Sequence, residues 1–118
     1  MNFIRNSAAL LISCIVLISA NSAEACTVRW RVPYGVDGSG IMLTKSGASC
    51  TTTISHRGTM MENLVVTVKP QHGSATVESL DKINYQPKAG YHGPDSFSFL
   101  SDYGAKGKSN VTLNITVE

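Results

Sequence analysis

The sequence predicts an all-β sandwich of about seven short antiparallel strands. Apolar and polar residues alternate along most of the chain after residue 25, and turn-forming residues recur roughly every 8 to 12 positions. No segment there carries the three-to-four-residue apolar spacing of an amphipathic helix. These observations favour two packed sheets with short connections.

The first 25 residues are expected to be an export signal, outside the folded domain. Arg5 precedes an almost wholly apolar run from Ala8 to Ala20, which is shorter than the roughly 20 residues that span a bilayer. The sequence Ala-Glu-Ala that ends at Ala25 fits a signal-peptidase site, so cleavage is expected after Ala25. Two alternatives stay open, a retained membrane anchor and a lipoprotein acylated at Cys26.

Cleavage at that point predicts a single mature domain, residues 26–118, in the periplasm or outside the cell. Subtracting 25 from 118 residues leaves 93, enough for one domain and a small core. Cys26 and Cys50 are the cysteines that remain. Because exported proteins meet an oxidising compartment, a Cys26–Cys50 disulfide is expected.

Charge argues against nucleic acid as a partner. Removing Arg5 and Glu24 from ten basic and eight acidic residues leaves nine and seven, a net charge of +2. The basic residues are scattered, whereas phosphate binding needs clustered cations. No membrane span is expected once the signal has been removed.

The predicted strands follow the apolar alternation. In the first strand Val28, Trp30 and Val32 are expected to face inward. Glycines make 34–40 and 103–107 turns or loops, and 56–63 is a loop or a single helical turn. The strands, in order, are 27–32, 41–44, 49–55, 64–68, 74–78, 82–86, 96–101 and 111–117.

Two of these strands carry specific expectations about burial. The segment 64–68, LVVTV, is apolar almost throughout, as in a strand that is buried on both faces or lies in the middle of a sheet. The segment 74–78 is expected to turn Ala75 and Val77 inward and to form a hairpin with 82–86, whose inward residues are Ile83 and Tyr85.

The stretch from Tyr85 to Phe99, YQPKAGYHGPDSFSF, joins two strands through a glycine-rich corner. A proline ends the first strand, two glycines permit backbone angles that side chains forbid, and the aspartate can accept hydrogen bonds from loop amides. We expect the tyrosine inside the corner to place its ring on the core and its hydroxyl on a backbone group. The corner residues are Tyr85, Pro87, Gly90, Tyr91, Gly93, Asp95 and Phe97.

This corner, with the segments on either side of it from Lys69 to Val117, resembles the immunoglobulin-like and cadherin-like repeats of bacterial surface proteins. The resemblance implies an immunoglobulin-like β-sandwich and export, and it leaves calcium binding open. With the export signal and no recognisable catalytic site, the corner favours a binding or adhesion module, for which no cofactor is expected. The resemblance also implies a structural role for the corner residues. Another protein or a cell-surface component is the expected partner, bound by end loops or by an open sheet edge.

Enzyme activity is not expected. The three histidines, His56, His72 and His92, lie at turn positions, and no nucleophile elbow surrounds a serine. Trp30 is expected to be buried near the disulfide, with an exposed ligand platform as the alternative.

Two alternatives to a binding module stay open. The loop residues His56, Met60 and Met61 carry imidazole and thioether groups that suit Cu(I), so a periplasmic copper-handling protein is the first. A structural subunit that associates with itself through sheet edges is the second.

Overall fold

A computed structural model describes residues 26–54 and 61–118 of the chain, which fold as two packed β-sheets. Sheet A has five strands in the order β1-β2-β8-β7-β4, and sheet B has three in the order β3-β6-β5. A single 3₁₀ turn, Gly104–Lys106, precedes the last strand. The strands are β1 Thr27–Trp30, β2 Gly38–Thr44, β3 Cys50–Thr53, β4 Asn63–Val68, β5 Gly73–Ser79, β6 Lys82–Pro87, β7 Gly93–Asp102 and β8 Lys108–Val117.

The all-β sandwich is therefore confirmed, with one difference in detail. The eight strands of the described residues each overlap one of the eight predicted segments, but β2 runs parallel to β8 from Gly38↔Val111 to Thr44↔Val117, whereas antiparallel pairing was predicted. Alternation along a strand tells which side chains share a face, but it carries no information about the direction of the neighbouring strand.

The core lies between the sheets and takes the inward residues of every strand pair. Trp30 packs edge-on against Phe99 with ring centroids 5.6 Å apart, and Val32 is buried, as the alternation in TVRWRV predicts. Ile83 and Tyr85 on β6 are fully buried, and β5 and β6 form the expected hairpin. The other fully buried side chains include Met42, Ile54, Phe97, Phe99, Val111 and Leu113.

Three sequence interpretations are wrong. The strand β4 is an edge strand that exposes Val65 and Val68, because the apolar run conceals an ordinary alternation in which only Leu64 is buried and Val66 half-buried. Val77 is 38% exposed, since β5 is the edge of the smaller sheet.

The third wrong interpretation is that residues 34–40 form a turn or loop throughout, because β2 already begins at Gly38. Gly40 lies opposite Trp30 in the ladder, and a Cβ atom at Gly40 would come within 2.3 Å of the Trp30 Cβ. The glycine is therefore a strand residue that gives the tryptophan room.

A disulfide joins the two sheets at one side of the sandwich. Cys26, just before β1, is bonded to Cys50, the first residue of β3, with 5.7 Å between their Cα atoms. Both strands are sheet edges, so the bond links sheet A to sheet B where no backbone ladder does. The predicted pairing is confirmed.

Replacing both cysteines with alanine should lower the free energy of unfolding by about 3 kcal/mol, because the unfolded chain regains the freedom of a 24-residue loop. Urea denaturation followed by tryptophan fluorescence measures the change. Wild-type protein treated with a reductant should unfold at the same lower midpoint. An unchanged midpoint in either sample would contradict a stabilising role for the bond.

Candidate functional site

The corner between β6 and β7 is organised by the carboxylate of Asp95. Its Oδ1 accepts hydrogen bonds from the backbone N–H groups of Gln71 (3.0 Å) and Ser96 (2.9 Å). Its Oδ2 accepts from the His72 N–H (3.1 Å) and from the Tyr85 hydroxyl (2.7 Å). One side chain thus holds the β4–β5 connection, β6 and β7 together.

The remaining corner residues shape the chain around this carboxylate. Gly90 and Gly93 have φ angles of 85° and 138°, a region that disfavours other residues. The Tyr91 hydroxyl donates a hydrogen bond to the Pro94 carbonyl, and its ring stacks on His72 at 4.0 Å with an interplanar angle of 4°. Pro87 and Phe97 are buried in the adjoining strands.

One hydroxyl of the corner, that of Tyr85, has a shifted pKa. Burial, and then the hydrogen bond to Asp95, raise the pKa of the Tyr85 hydroxyl, so this group remains a neutral donor. Outside the corner, after the other end of β7, burial also raises the pKa of Tyr103, although a hydrogen bond with Ser101 opposes this change. The arrangement at Asp95 is suited to fixing a turn, because its donors already occupy both carboxylate oxygens.

The candidate copper loop finds little support. Met61 is only 8% exposed and belongs to the hydrophobic core, so its thioether packs against apolar side chains. His56 and Met60 lie outside the described residues. Within residues 26–54 and 61–118, no three His, Cys, Asp or Glu side chains form a cluster that could hold a metal ion.

An open cleft of about 940 Å³ lies between β1 and β3. Its lining includes Trp30, Val32 and Thr52, as well as the half-buried Cys26 of the disulfide. Within the described part of the chain β1 pairs only with β2, and β3 only with β6. The outer edges of both strands therefore border the same cleft without a ladder between them, and an unpaired strand edge is the usual template for an added strand.

The polar groups of this cleft have unused bonding capacity. Arg29 and Arg31 are among the residues that line it, both are exposed, and neither forms an ion pair with another residue of the described ranges 26–54 and 61–118. The hydroxyl oxygen of Thr52 is buried and has no hydrogen-bond partner among the described residues. A buried hydroxyl without a partner is costly, and exposed guanidinium groups favour anionic neighbours.

Family comparison agrees with this architecture. Residues 36–116 match the family model of the bacterial Ig domain. The chain belongs to the bacterial Ig domain family. The match begins before β2, so it extends well beyond the segment from Lys69 to Val117 on which the sequence resemblance rests. No curated protein matches the chain.

Membership of the bacterial Ig domain family supports a binding or adhesion type of module in general. No helix in the described ranges, 26–54 and 61–118, is long and apolar enough to cross a membrane. Sequence reasoning found the corner residues. It missed Thr52 and the cleft, because no feature of one strand shows which strand of the other sheet lies beside it.

Substituting alanine for Asp95 should lower the free energy of unfolding by about 2 kcal/mol, because three backbone N–H groups and the Tyr85 hydroxyl lose their acceptor. Asp37→Ala is the matched control, since Asp37 accepts one hydrogen bond, from the Asn110 N–H at 2.9 Å. Urea denaturation of both variants gives the comparison, and an equal loss in the two would contradict the role assigned to Asp95.

Tyr85→Phe should reduce stability most at neutral pH and progressively less above about pH 10, where unfolded tyrosine ionises. The folded pKa of Tyr85 is raised, so its contribution is complete below the unfolded pKa and is lost as pH rises towards the folded value. Urea unfolding of wild type and variant between pH 8 and pH 11 measures the difference. A difference that grows with pH would contradict this assignment.

Proposed function

We propose that this bacterial Ig domain is an exported, non-catalytic module that recognises another protein or a cell-surface component. The proposal includes removal of residues 1–25 after Ala25 and a single mature domain of residues 26–118. The Cys26–Cys50 disulfide supports export, because such bonds persist in oxidising compartments. Family membership supports binding in place of catalysis.

The observation that carries the proposal is the cleft between β1 and β3. Two strand edges border it, the disulfide fixes their separation at one end, and the packing of Trp30 against Phe99 holds β1 on the core. A rigid cleft loses little freedom when a partner binds. An extended segment of a partner is the ligand that such edges are suited to receive.

The charges of the cleft favour a partner segment with carboxylates. Arg29 and Arg31 are exposed at the cleft and form no ion pair with any other described residue, so binding would not have to break such a pair. Arginine also binds carboxylates through two parallel hydrogen bonds, which adds geometric selectivity to the attraction.

The test compares the wild type with a charge-reversed cleft, Arg29→Glu with Arg31→Glu. Each protein is immobilised and exposed to envelope and culture-medium fractions of its native host, and retained proteins are identified by mass spectrometry. The wild type should retain a specific component at low salt that the cleft variant does not. The loss follows because opposite charges would be replaced by like charges.

The matched control is Lys69→Glu with Lys88→Glu, which makes the same charge change on exposed side chains that do not line the cleft. This control should retain the component that the wild type retains. If the wild type retained nothing, or if all three proteins retained the same components, the cleft would not be the binding site. Unfolding midpoints of the three proteins verify that each is folded.

A further inference from the structure

The outer face of sheet A is nearly free of charge across four neighbouring strands, β2, β8, β7 and β4. Among the described residues, charged side chains lie at its margins. They are Arg29 on β1, the register pair Asp102↔Lys108 at one end, and Lys69 and Asp95 in a groove beside Val68 at the other end. We call the area inside these margins the uncharged face. Its centre is mostly serine, threonine and asparagine on β7 and β8, together with the half-buried Leu100 of β7. The polar residues are Ser96, Ser98, Asn110, Thr112, Asn114 and Thr116.

Apolar side chains border this centre on both sides. On β2 they are Ile41 and Leu43, of which Ile41 is 49% exposed, and we call this pair the β2 strip. On β4 they are Val65 and Val68, of which Val68 is 57% exposed, and we call this pair the β4 strip. Val65 lies opposite Leu100 and Val68 opposite Ser98, so both project on the outer side of the sheet.

We infer that the uncharged face binds a second copy of this chain through a two-fold symmetric contact. In such a contact a residue of one copy meets a different residue of the other, and the same pair recurs on the opposite side of the axis. The β2 strip and the β4 strip lie at opposite borders of the face. One axis in the plane of the contact therefore places each β2 strip on the partner's β4 strip, so both apolar strips of both copies are covered.

The charge distribution of the uncharged face is suited to binding a second copy of the chain. A chain with net charge +2 repels a second copy of itself, and the penalty is smallest where the facing surfaces carry no charge. The hydroxyl and amide groups at the centre can donate and accept, so identical surfaces can hydrogen-bond to each other. Two such groups already pair within the face, the Ser98 and Thr112 hydroxyls at 2.7 Å.

The aromatic side chains near the uncharged face favour a second copy over a glycan. Tyr91 borders the face in a groove with Val68, and its ring is already stacked on His72. Trp30, Phe97 and Phe99 all point towards the core. Sugar rings are usually held by flat aromatic side chains, and serine and threonine alone provide little apolar contact area. A second copy of the chain supplies this apolar contact area through its own β2 strip and β4 strip.

The size of the face sets the expected affinity. Four strands about 4.8 Å apart and about seven residues long cover roughly 450 Å² per copy in projection. Two copies would therefore bury on the order of 1,000 Å², which is at the low end of specific interfaces. The expected dimer is weak, with a Kd on the order of 100 µM.

Sedimentation velocity of the mature chain from about 10 µM to about 1 mM tests for the dimer. The wild type should shift from monomer to dimer, and Ile41→Lys should weaken the dimer about tenfold or more by burying an unpaired charge. Leu80→Lys is the matched control, because Leu80 is 51% exposed in the β5–β6 turn of sheet B. This control should dimerise as the wild type does.

A mixing experiment tests the arrangement of the two strips. Val68→Asp should also block association with itself, whereas an equimolar mixture of Ile41→Lys and Val68→Asp chains should recover a dimer. In the mixture one contact pairs opposite charges and the other keeps both native side chains. Unfolding midpoints of each variant establish that it is folded.

Three outcomes would overturn the inference: a wild type that stays monomeric throughout, an Ile41→Lys variant that dimerises as the wild type does, or a mixture that remains monomeric. The uncharged face does not include the cleft between β1 and β3. A failure here would therefore leave the cleft experiment unaffected, and the reverse holds as well.

Discussion

The Asp95 carboxylate is the interaction on which the arrangement of the two sheets depends. It is held by backbone N–H groups from the β4–β5 connection and from β7, both next to strands of sheet A, and by the Tyr85 hydroxyl from sheet B. A buried phenol needs a hydrogen-bond partner, and Asp95 supplies it. The glycines of the corner follow from this constraint, since the chain must bend sharply to bring Asp95 back over Tyr85.

The opposite side of the sandwich is held by different chemistry. There the edges β1 and β3 share no ladder, and the Cys26–Cys50 bond is the covalent link between them. A disulfide fixes two points and leaves the backbone groups of both strands available, whereas a ladder would have used them. The cleft is thus a consequence of closing one side of a small sandwich with a bond in place of a strand pair.

The sequence predicts which side chains face inward better than it predicts which strands are neighbours. The corner motif and the alternation in TVRWRV place Tyr85, Trp30 and Val32 correctly, because side-chain direction is a local property with a period of two. Strand order, the parallel pairing of β2 with β8 and the edge position of β4 depend on contacts between distant segments. The run LVVTV was misleading because valine suits an exposed strand as well as a buried one.

Among the described residues, Asp95 and His72 are engaged within the corner, whereas strand edges and apolar strips lie open at the surface. Asp95 has donors on both oxygens, and the His72 ring is stacked on Tyr91. The open edges of β1 and β3 and the exposed strips on β2 and β4 have backbone groups and apolar area that the described fold does not use. Association with a partner uses such edges and strips. The described surfaces therefore agree with the binding or adhesion type of module that family membership supports in general.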